Sequence, residues 1–444
     1  MFTNIFQSTN KPKPIELPFP VAYSTRKEFI QHLGYIPLVY YNELQVGQSD
    51  LIYFQLYLKE NIPQVKVTFN DATGVIGQTG FPIDNTKIKI FINSRADETK
   101  TIFIQFKIIN IKKESGSTFT LKGAIDLDDL FTINYESFPK SSSIEVLQKV
   151  AKQLGLGFNS NINVTNDKMN WLNYGRKVYQ FLKYVANNGY ISDNDFCSYY
   201  IDYYYNLNYI NIQKELLRDA ENDELIQDNF LPEAVIDVKQ PPIKTIAQLT
   251  TDKAFNKSNL YIESYTILNN STSISIQEGY LKQVFYYDNQ KKEKLIFELD
   301  TLTDNTNSKN LITLKSPGEL GKDFYKSNFT QEYIGKLDVD NIHANYGYAD
   351  FLNNRNLQEL EKITVVANLP LPNFSLYVFQ KIKVVFVNLT QNAFNFILNE
   401  RLTGYYLITN IKFEYSSGRM IQILHLSRRD LTLSDIDTRS STSR

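Results

Sequence analysis

Short runs of β-branched and aromatic residues, separated by turn residues, dominate two stretches of the chain, one from about residue 50 to 135 and one from 362 onward. Such runs are typical of strands in a small barrel or sandwich. The first stretch contains LIYFQLYL (51–58), QVKVTF (64–69), KIKIFIN (87–93), TIFIQFKIINI (101–111) and TFTLKGAIDL (118–127). The second contains ITVVANL, SLYVFQKIKVVFVNL, GYYLITNIKFEY and RMIQILHLS. Both stretches therefore predict β-structure.

Between these stretches the apolar positions change to the period of helices. Ser142 and Glu145 have the spacing of a capping box, and apolar residues then recur at intervals of three and four before Gly155. A second helix is predicted to end at Gly189, and its apolar stripe consists of Val178, Phe181, Leu182 and Val185. The aromatic run CSYYIDYYYNLNYINI (197–212) predicts a strand. The two helices form either a small α+β module or a layer packed on the preceding barrel.

The remaining segments are more polar. Residues 1–20 carry four prolines and predict an extended arm, and residues 213–230 predict a solvated helix or a connector. Pro241 and Pro242 mark a plausible boundary, after which strands are predicted between 259 and 300. Residues 302–345 predict a long polar loop, and the terminal DTRSSTSR predicts a disordered tail.

The two β-rich stretches share an internal echo. Each has a Lys-Ile-Lys strand that ends in asparagine, at 87–93 and at 381–388. Each then has Asn-Ile-Lys-x-Glu, a Ser-Gly turn and a final strand, from Asn110 and from Asn410. Chance is a rival explanation, since Ile, Lys and Asn are abundant. We interpret the echo as duplication of one barrel, so that 50–130 and 360–430 should share one strand order with the Lys-Ile-Lys strands in equivalent positions.

Composition and charge narrow the function classes. The chain has 444 residues, enough for two to four domains, and its 30 Tyr and 29 Phe favour strands and interfaces or reflect a compositional bias. A formal charge of −1 predicts no nucleic-acid specificity. The single Cys197 excludes an intrachain disulfide and fits folding in a reducing cytosol. We expect no signal peptide and no membrane insertion, because neither apolar pattern is present.

A search for catalytic chemistry finds no site. Of the three histidines, His32 lacks a second histidine at helical spacing, His425 lies in an apolar strand and His343 is expected in a solvated loop. Asp126, Asp128 and Asp129 lack the glycine and distal glutamate of a calcium loop, so they are interpreted as turn and helix-start residues. No phosphate loop or nucleophile elbow is present. The 48 acidic residues offer too many carboxylate pairs for one to be nominated as a glycosidase site. We therefore predict no catalytic, cofactor-binding or metal-binding residue.

Three segments resemble a known family. They are LKGAIDLDDLFTINYESFPKSSSIEVLQKVAKQLGLGFNSN, NDKMNWLNYGRKVYQFLKYVANNGYISDNDFCSYYIDYYYNLNYINIQKEL and GYYLITNIKFEYSSGRMIQILHLSRRD. A serine-capped helix running into LGLGF, a Trp-Leu-Asn element, a second helix, a Tyr-rich strand and a closing hairpin resemble the late-control-D type of baseplate hub in contractile phage tails. The resemblance covers about a third of the chain, while residues 245–345 are longer and more polar than such hubs lead us to expect.

The resemblance and the echo together predict a mainly β fold with a small α+β module, in which two related small β-barrels are accompanied by helical and β insert regions. The predicted domains are a tube-like barrel at 1–135, a helical or α+β module at 136–235, a β-rich insert with polar loops at 236–355, a second tube-like barrel at 356–435 and a disordered tail at 436–444.

The function implied by the resemblance is structural and non-enzymatic: a virion protein, made in the host cytoplasm, that forms a homotrimeric hub adapting the six-fold tail tube to the three-fold spike. The implied partners are the tail tube protein, the central spike protein, and baseplate wedge or tape-measure proteins, with no cofactor. Two alternatives stay open. One is a receptor- or glycan-binding tail protein, which the abundance of tyrosine permits, and the other is a tail-associated cell-wall hydrolase.

Overall fold

The computed structural model describes residues 37–42, 44–78, 86–93, 101–113, 116–217, 244–248, 261–270, 281–288, 292–300, 332–335, 342–370, 372–374, 376–389, 396–399 and 402–428. The predicted N-terminal arm, the boundary prolines, most of the predicted polar loop and the predicted disordered tail lie outside these residues. Within them the chain is mainly β, as the sequence predicts, and most strands belong to one large sheet.

Seven antiparallel strands form the N-terminal part of this sheet. Apolar side chains alternate along its strands and face the core, as Val65, Val67 and Phe69 do at no more than 1% exposure. Glu60 and Asn61 both have positive φ, which fits the tight turn between two of its strands. Its strands are β1 (Leu38–Tyr41), β2 (Leu44–Gln45), β3 (Leu51–Lys59), β4 (Ile62–Asn70), β5 (Lys87–Asn93), β6 (Thr101–Lys113) and β7 (Thr118–Ile125), with a short helix α1 (Val75–Gln78).

A helical module follows. Its two longer helices pack against each other, and Trp171 donates from Nε1 to the carbonyl oxygen of Ser141 at 2.9 Å. A ribbon of β8 and β10 and a small sheet in the order β11-β12-β9 complete it. The elements are a 3₁₀ helix (Asp128–Phe131), β8 (Ile133–Ser141), α2 (Ser143–Gln153), β9 (Gly157–Ser160), β10 (Met169–Lys177), α3 (Val178–Asn187), β11 (Cys197–Ile201), β12 (Asn206–Asn211) and α4 (Ile212–Leu216).

The C-terminal half returns to the large sheet. Three of its strands form a separate sheet in the order β17-β16-β18, and two more form the hairpin β21-β22. The elements are β13 (Lys244–Gln248), β14 (Tyr261–Ile262), β15 (Ser264–Asn269), β16 (Leu281–Asp288), β17 (Glu293–Asp300), β18 (Glu332–Gly335), α5 (Tyr346–Leu360), β19 (Ile363–Leu369), β20 (Lys381–Val385), β21 (Val387–Leu389), β22 (Phe396–Leu398), β23 (Gly404–Ser416) and β24 (Arg419–Arg428).

Two groups of five strands in the large sheet have the same order. We call β3, β4, β5, β6 and β7 the first unit, and β15, β19, β20, β23 and β24 the second unit. Neighbours run β3-β4-β7-β6-β5 in the first and β15-β19-β24-β23-β20 in the second. All neighbours within each unit are antiparallel. Successive strands of the chain therefore occupy the same positions in the sheet of each unit.

The Lys-Ile-Lys strands β5 and β20 hold equivalent positions in the two units. Lys87 lies opposite Lys107, and Lys381 lies opposite Leu407. Each opposing residue stands three positions before the asparagine of the Asn-Ile-Lys motif. The predicted equivalence of these strands is thus confirmed, register included.

The Asn-Ile-Lys motifs are marked by the same irregularity. The register of β6 against β7 shifts between Ile108 and Asn110, and that of β23 against β24 shifts between Ile408 and Asn410. A β-bulge at one matching position in both units is a second agreement that strand order alone does not require.

The second unit is not one contiguous segment of the chain. Its first strand β15 lies in the range predicted as an insert, and residues 270–362 separate it from β19, whereas only Glu60 and Asn61 separate β3 from β4. The units also differ at one edge, because β1 joins β5 antiparallel and β13 joins β20 parallel. The domain boundaries proposed from the sequence stay a prediction.

The predicted helices form where expected. Ser142 is the N-cap of α2, and its backbone N–H donates to Glu145 Oε2 at 2.8 Å. Gly155 follows the helix with a φ of +71°, as a C′ glycine does. The stripe predicted for α3 is buried. The predicted strand at 197–212 is instead a hairpin, because Asp202 accepts hydrogen bonds from the N–H groups of Tyr204 and Asn206 and turns the chain.

Candidate functional site: the junction between the two units

The two units join edge to edge along β3 and β23. The first part of β23 pairs with β20, and its last four residues turn to β3 instead. The pairs are Phe413 with Leu56, Glu414 with Gln55, Tyr415 with Phe54 and Ser416 with Tyr53. One long strand therefore carries the sheet from one unit into the other.

Polar contacts on one face of the sheet fix this register. Glu414 Oε2 accepts from the Tyr53 hydroxyl at 3.2 Å and from Gln55 Nε2 at 3.3 Å. Partial burial and the Glu414 carboxylate raise the pKa of Tyr53 to about 12. The Tyr53 hydroxyl therefore stays protonated, and a hydrogen-bond donor, throughout the pH range in which proteins fold.

The helical module covers the other side of the junction. The hydroxyl of the buried Tyr203 donates to the Ile411 carbonyl oxygen at 2.8 Å, and its ring meets Phe413 edge-on at 5.8 Å between centroids. The Ile201 N–H donates to the Asn61 carbonyl oxygen at 2.9 Å. The loop and strand around residue 201 thus hold both units at once.

Further hydrogen bonds tie the module to each unit, at β6 in the first unit and at β20 in the second. In the first unit the Gln105 N–H donates to the Tyr205 hydroxyl at 2.9 Å. In the second, Lys381 Nζ donates to the Leu216 carbonyl oxygen at 2.9 Å, and its backbone N–H donates to Glu215 Oε1 at 3.2 Å. Lys381 is fully buried, and its ammonium lies 4.7 Å from the ring centre of Tyr405.

A polar cavity of about 510 Å³ opens beside the junction. Burial, with a contribution from Lys412, lowers the pKa of His425 to about 4, and burial raises the pKa of Glu361. The residues that line the cavity come from both units and from the chain preceding β19. They are Leu58, Glu60, Asn61, Leu268, Asn270, Glu361, Thr364, Thr409, Asn410 and His425.

An exposed aromatic surface lies on the ribbon β8–β10. Tyr135 and Tyr174 face each other across the strands with ring centroids 6.1 Å apart and planes at 81°. They are 73% and 85% exposed, and Ile133 and Leu172 beside them are more than half exposed. A cluster of this kind is unusual on a solvated surface and fits a protein contact.

The histidines singled out in the sequence are scattered. His32 lies outside the described residues, and His425 lies on β24 as predicted. The prediction of a solvated loop for His343 is wrong: the side chain is buried, and its Nε2 lies 3.1 Å from the Asn188 carbonyl oxygen. Burial lowers the pKa of His343. Aromatic rings distant in sequence cover it, among them Trp171.

The other candidate residues take structural positions. Asp126 forms an ion pair with Lys87 at 2.7 Å, and Asp128 and Asp129 open the 3₁₀ helix, as predicted for turn and helix-start residues. Cys197 is buried, and burial raises the pKa of its thiol. Among the described residues no group of three His, Cys, Asp or Glu side chains could hold a metal ion. In the same part of the chain no helix has the length and apolarity to span a membrane.

The junction itself was not identified from the sequence. The tyrosine-rich run 197–212 contains Tyr203 and Tyr205, which lie at its turn and reach opposite units. The local signal is the turn chemistry of Asp202 within an otherwise apolar aromatic run, because a turn there directs the neighbouring tyrosines toward different parts of the chain.

Comparison with known proteins finds similarity in fold but not in sequence. No family model and no curated protein matches the sequence. Among solved structures, a tail protein from Neisseria meningitidis MC58 aligns with a TM-score of 0.52 at 11% identity, covering 89% of this chain and 97% of that one. A 43 kDa tail protein of prophage MuSo2 from Shewanella oneidensis aligns at 0.47 and 11% identity, covering 90% and 99%.

An E. coli protein described as a component of the type VI secretion system, with structural similarity to the T4 tail proteins gp27 and gp5, aligns at 0.41 and 8% identity. The alignment covers 89% of this chain and 77% of the E. coli chain. The Neisseria alignment extends over nearly all of both chains. The chain therefore shares the fold of the Neisseria tail protein.

Proposed function

We propose that this chain is a structural hub of a contractile phage tail baseplate, and that it acts as a homotrimer between the six-fold tail tube and the three-fold spike. The observation that carries the proposal is the presence of two units with one strand order and one register in a single chain. Three such chains around an axis present six equivalent units to a hexameric ring and three copies of everything else to a trimeric partner.

The way the units are joined supports this role. They are fused along β3 and β23 and held from one side by the module, so their relative position is set within each chain. An adapter between rings of different symmetry needs such fixed spacing, because each contact with the tube depends on the angle between neighbouring units. The tube protein, the spike protein and wedge or tape-measure proteins are the proposed partners.

Electron microscopy tests the proposal. Class averages of the purified protein viewed along its axis should show a three-fold ring with six similar lobes. A ring with three lobes, or the absence of a ring, would contradict it.

We also propose that the protein has no enzymatic activity and works in the virion baseplate. The described ionisable residues support this, since His343, Asp126 and Cys197 are buried or engaged in structural contacts. A zymogram on host peptidoglycan should show no clearing by the folded protein, and a clearing zone would favour the cell-wall hydrolase.

A receptor- or glycan-binding role is the second candidate, and the exposed pair Tyr135 and Tyr174 is the observation that favours it. Sugar rings stack on flat aromatic faces, whereas these two rings stand nearly perpendicular, so a protein partner fits the pair better. Loss of cell-wall binding in a Tyr135→Ser, Tyr174→Ser variant would support the glycan alternative.

A further inference from the structure

The two units are covered differently at their first strands. In the first unit, β3 has β4 on one side and β23 on the other. In the second unit, the equivalent strand β15 pairs with β19 alone within the described part of the chain. The shared register gives the correspondence residue by residue: Tyr53 with Ser264, Phe54 with Tyr265, Gln55 with Thr266 and Leu56 with Ile267.

The difference in pairing appears as a difference in exposure. Leu56 is fully buried at the junction, while its counterpart Ile267 is 40% exposed and the adjacent Leu268 is 43% exposed. Five of the six residues of β15 are exposed. A strand with an open edge and exposed apolar side chains is a site for pairing with another strand.

A matching open edge lies on the first unit. The second part of β23 pairs with β3, but the equivalent part of β6, after the bulge, has a neighbour only in β7 among the described residues. Ile109, at the bulge, is 60% exposed, whereas its counterpart Thr409 lines the cavity beside the junction. The hairpin β6–β7 is thus the counterpart of the hairpin that closes the junction.

The two hairpins differ in length. Asn410 lies opposite His425, 15 positions on, and Asn110 lies opposite Lys122, 12 positions on. β6 therefore ends at Lys113, the counterpart of Phe413, and only its tip reaches the level at which β23 meets β3. An edge contact made there is shorter than the one inside the chain.

We propose that the open edge of β15 is covered by the β6–β7 hairpin of a second copy of this chain, antiparallel, with Lys113 of one copy opposite Ile267 of the next. The inference rests on the proposed trimer and adds the surfaces that build it. The occupant is a second copy because the chain itself already docks the equivalent hairpin on the equivalent edge. One open hairpin and one open edge among the described residues of each chain make a head-to-tail interface, which is the kind that closes a ring.

Cysteine crosslinking in the full chain tests the proposed register. A Cys197→Ala background removes the native thiol, and Lys113→Cys with Ile267→Cys places one cysteine on each edge. Mild oxidation should give covalent dimers and trimers on a denaturing gel, at least about tenfold more than the matched pair Lys112→Cys with Ile267→Cys, because neighbouring residues of a strand point to opposite faces.

Charge placed on the edge gives an independent test. Ile267→Lys should raise the concentration needed for trimer formation by about tenfold or more while leaving the melting curve of the monomer unchanged. Val164→Lys, at a 69% exposed residue outside both units, is the control and should not change assembly.

The outcomes separate the two proposals when the mass of the unmodified protein is measured alongside. A trimer without preferential crosslinking of positions 113 and 267 overturns this interface and leaves the hub proposal standing. A protein that stays monomeric at every concentration overturns the hub proposal and this interface together.

Discussion

Lys381 shows how equivalent positions in the two units have taken different roles. Its counterpart Lys87 is 42% exposed at the side chain and pairs with Asp126, whereas Lys381 is buried against the module. The ammonium is compensated by the Leu216 carbonyl and the Tyr405 ring. A duplicated residue has thus become an anchor for the module in one unit only.

Replacing Lys381 should therefore cost stability. Lys381→Met keeps most of the side-chain volume but leaves the buried Leu216 carbonyl without its charged donor, a loss of about 1.5–3 kcal/mol. Chemical denaturation measures the change in the free energy of unfolding. Lys122→Met, at an exposed lysine of strand β7, is the matched control and should change it by less than about 0.5 kcal/mol. Equal effects of the two variants would contradict the anchor role.

His425 should make the protein sensitive to acid. Its folded pKa of about 4 lies below the ordinary 6.5, so the unfolded chain binds the proton first as the pH falls. Stability from this group is complete above pH 6.5 and is lost between 6.5 and about 4. Denaturation curves at pH 7 and pH 4.5 should differ less for His425→Gln than for the unmodified protein. An unchanged difference would contradict this source of acid sensitivity.

His343 is buried, although the sequence predicts a solvated loop, and the difference has a physical reason. Its neighbours in sequence are polar, which favours solvent, but Asn188, Trp171 and Tyr190 cover it from more than 150 positions away. Contacts made across such distances leave no local pattern. The aspartates near residue 126 were predictable because their turn and helix-start roles are local.

At the scale of elements, strands with alternating apolar residues and helices with caps were predictable from the sequence. The helix α5 was not, because its apolar residues do not form a continuous stripe. The echo predicted that β5, β6 and β7 correspond to β20, β23 and β24. The strands β15 and β19 share no such sequence motif with β3 and β4. Residues 270–362 further obscured the repeat, since a contiguous second unit was expected.

The helix α2 supports the module through its apolar face. Leu147 is fully buried, so Leu147→Ala should lower the free energy of unfolding by about 2–5 kcal/mol through lost burial and a residual cavity. Gln148→Ala, on the exposed face of the same helix, should change it by less than about 0.5 kcal/mol. A loss below about 0.5 kcal/mol for Leu147→Ala would show that this face of the helix does not pack in the core.

The contact between the module and the junction depends on one buried hydroxyl. Tyr203→Phe leaves the ring against Phe413 but removes the donor to the Ile411 carbonyl, which should cost about 1–3 kcal/mol in thermal or chemical denaturation. Tyr174→Phe, at an 85% exposed tyrosine, is the control and should be neutral. A neutral Tyr203→Phe would indicate that the module does not hold the units through this bond.

At the scale of the whole molecule, the junction inside one chain provides a pattern for the contacts between chains. Duplication gives each chain two hairpins and two first-strand edges, and one hairpin and one edge meet within the chain. In the proposed interface the remaining hairpin and edge meet neighbouring copies, and the bulge and register common to both units allow the pattern to repeat. The proposed ring of six units from three chains is built on this arrangement.

Light scattering on the purified protein tests this account most directly, because it measures mass without reference to shape. The account predicts a trimer of about 155 kDa, three times the 51.5 kDa of one chain, at micromolar concentration. A mass of one chain at all concentrations, or of a stable dimer, would contradict it.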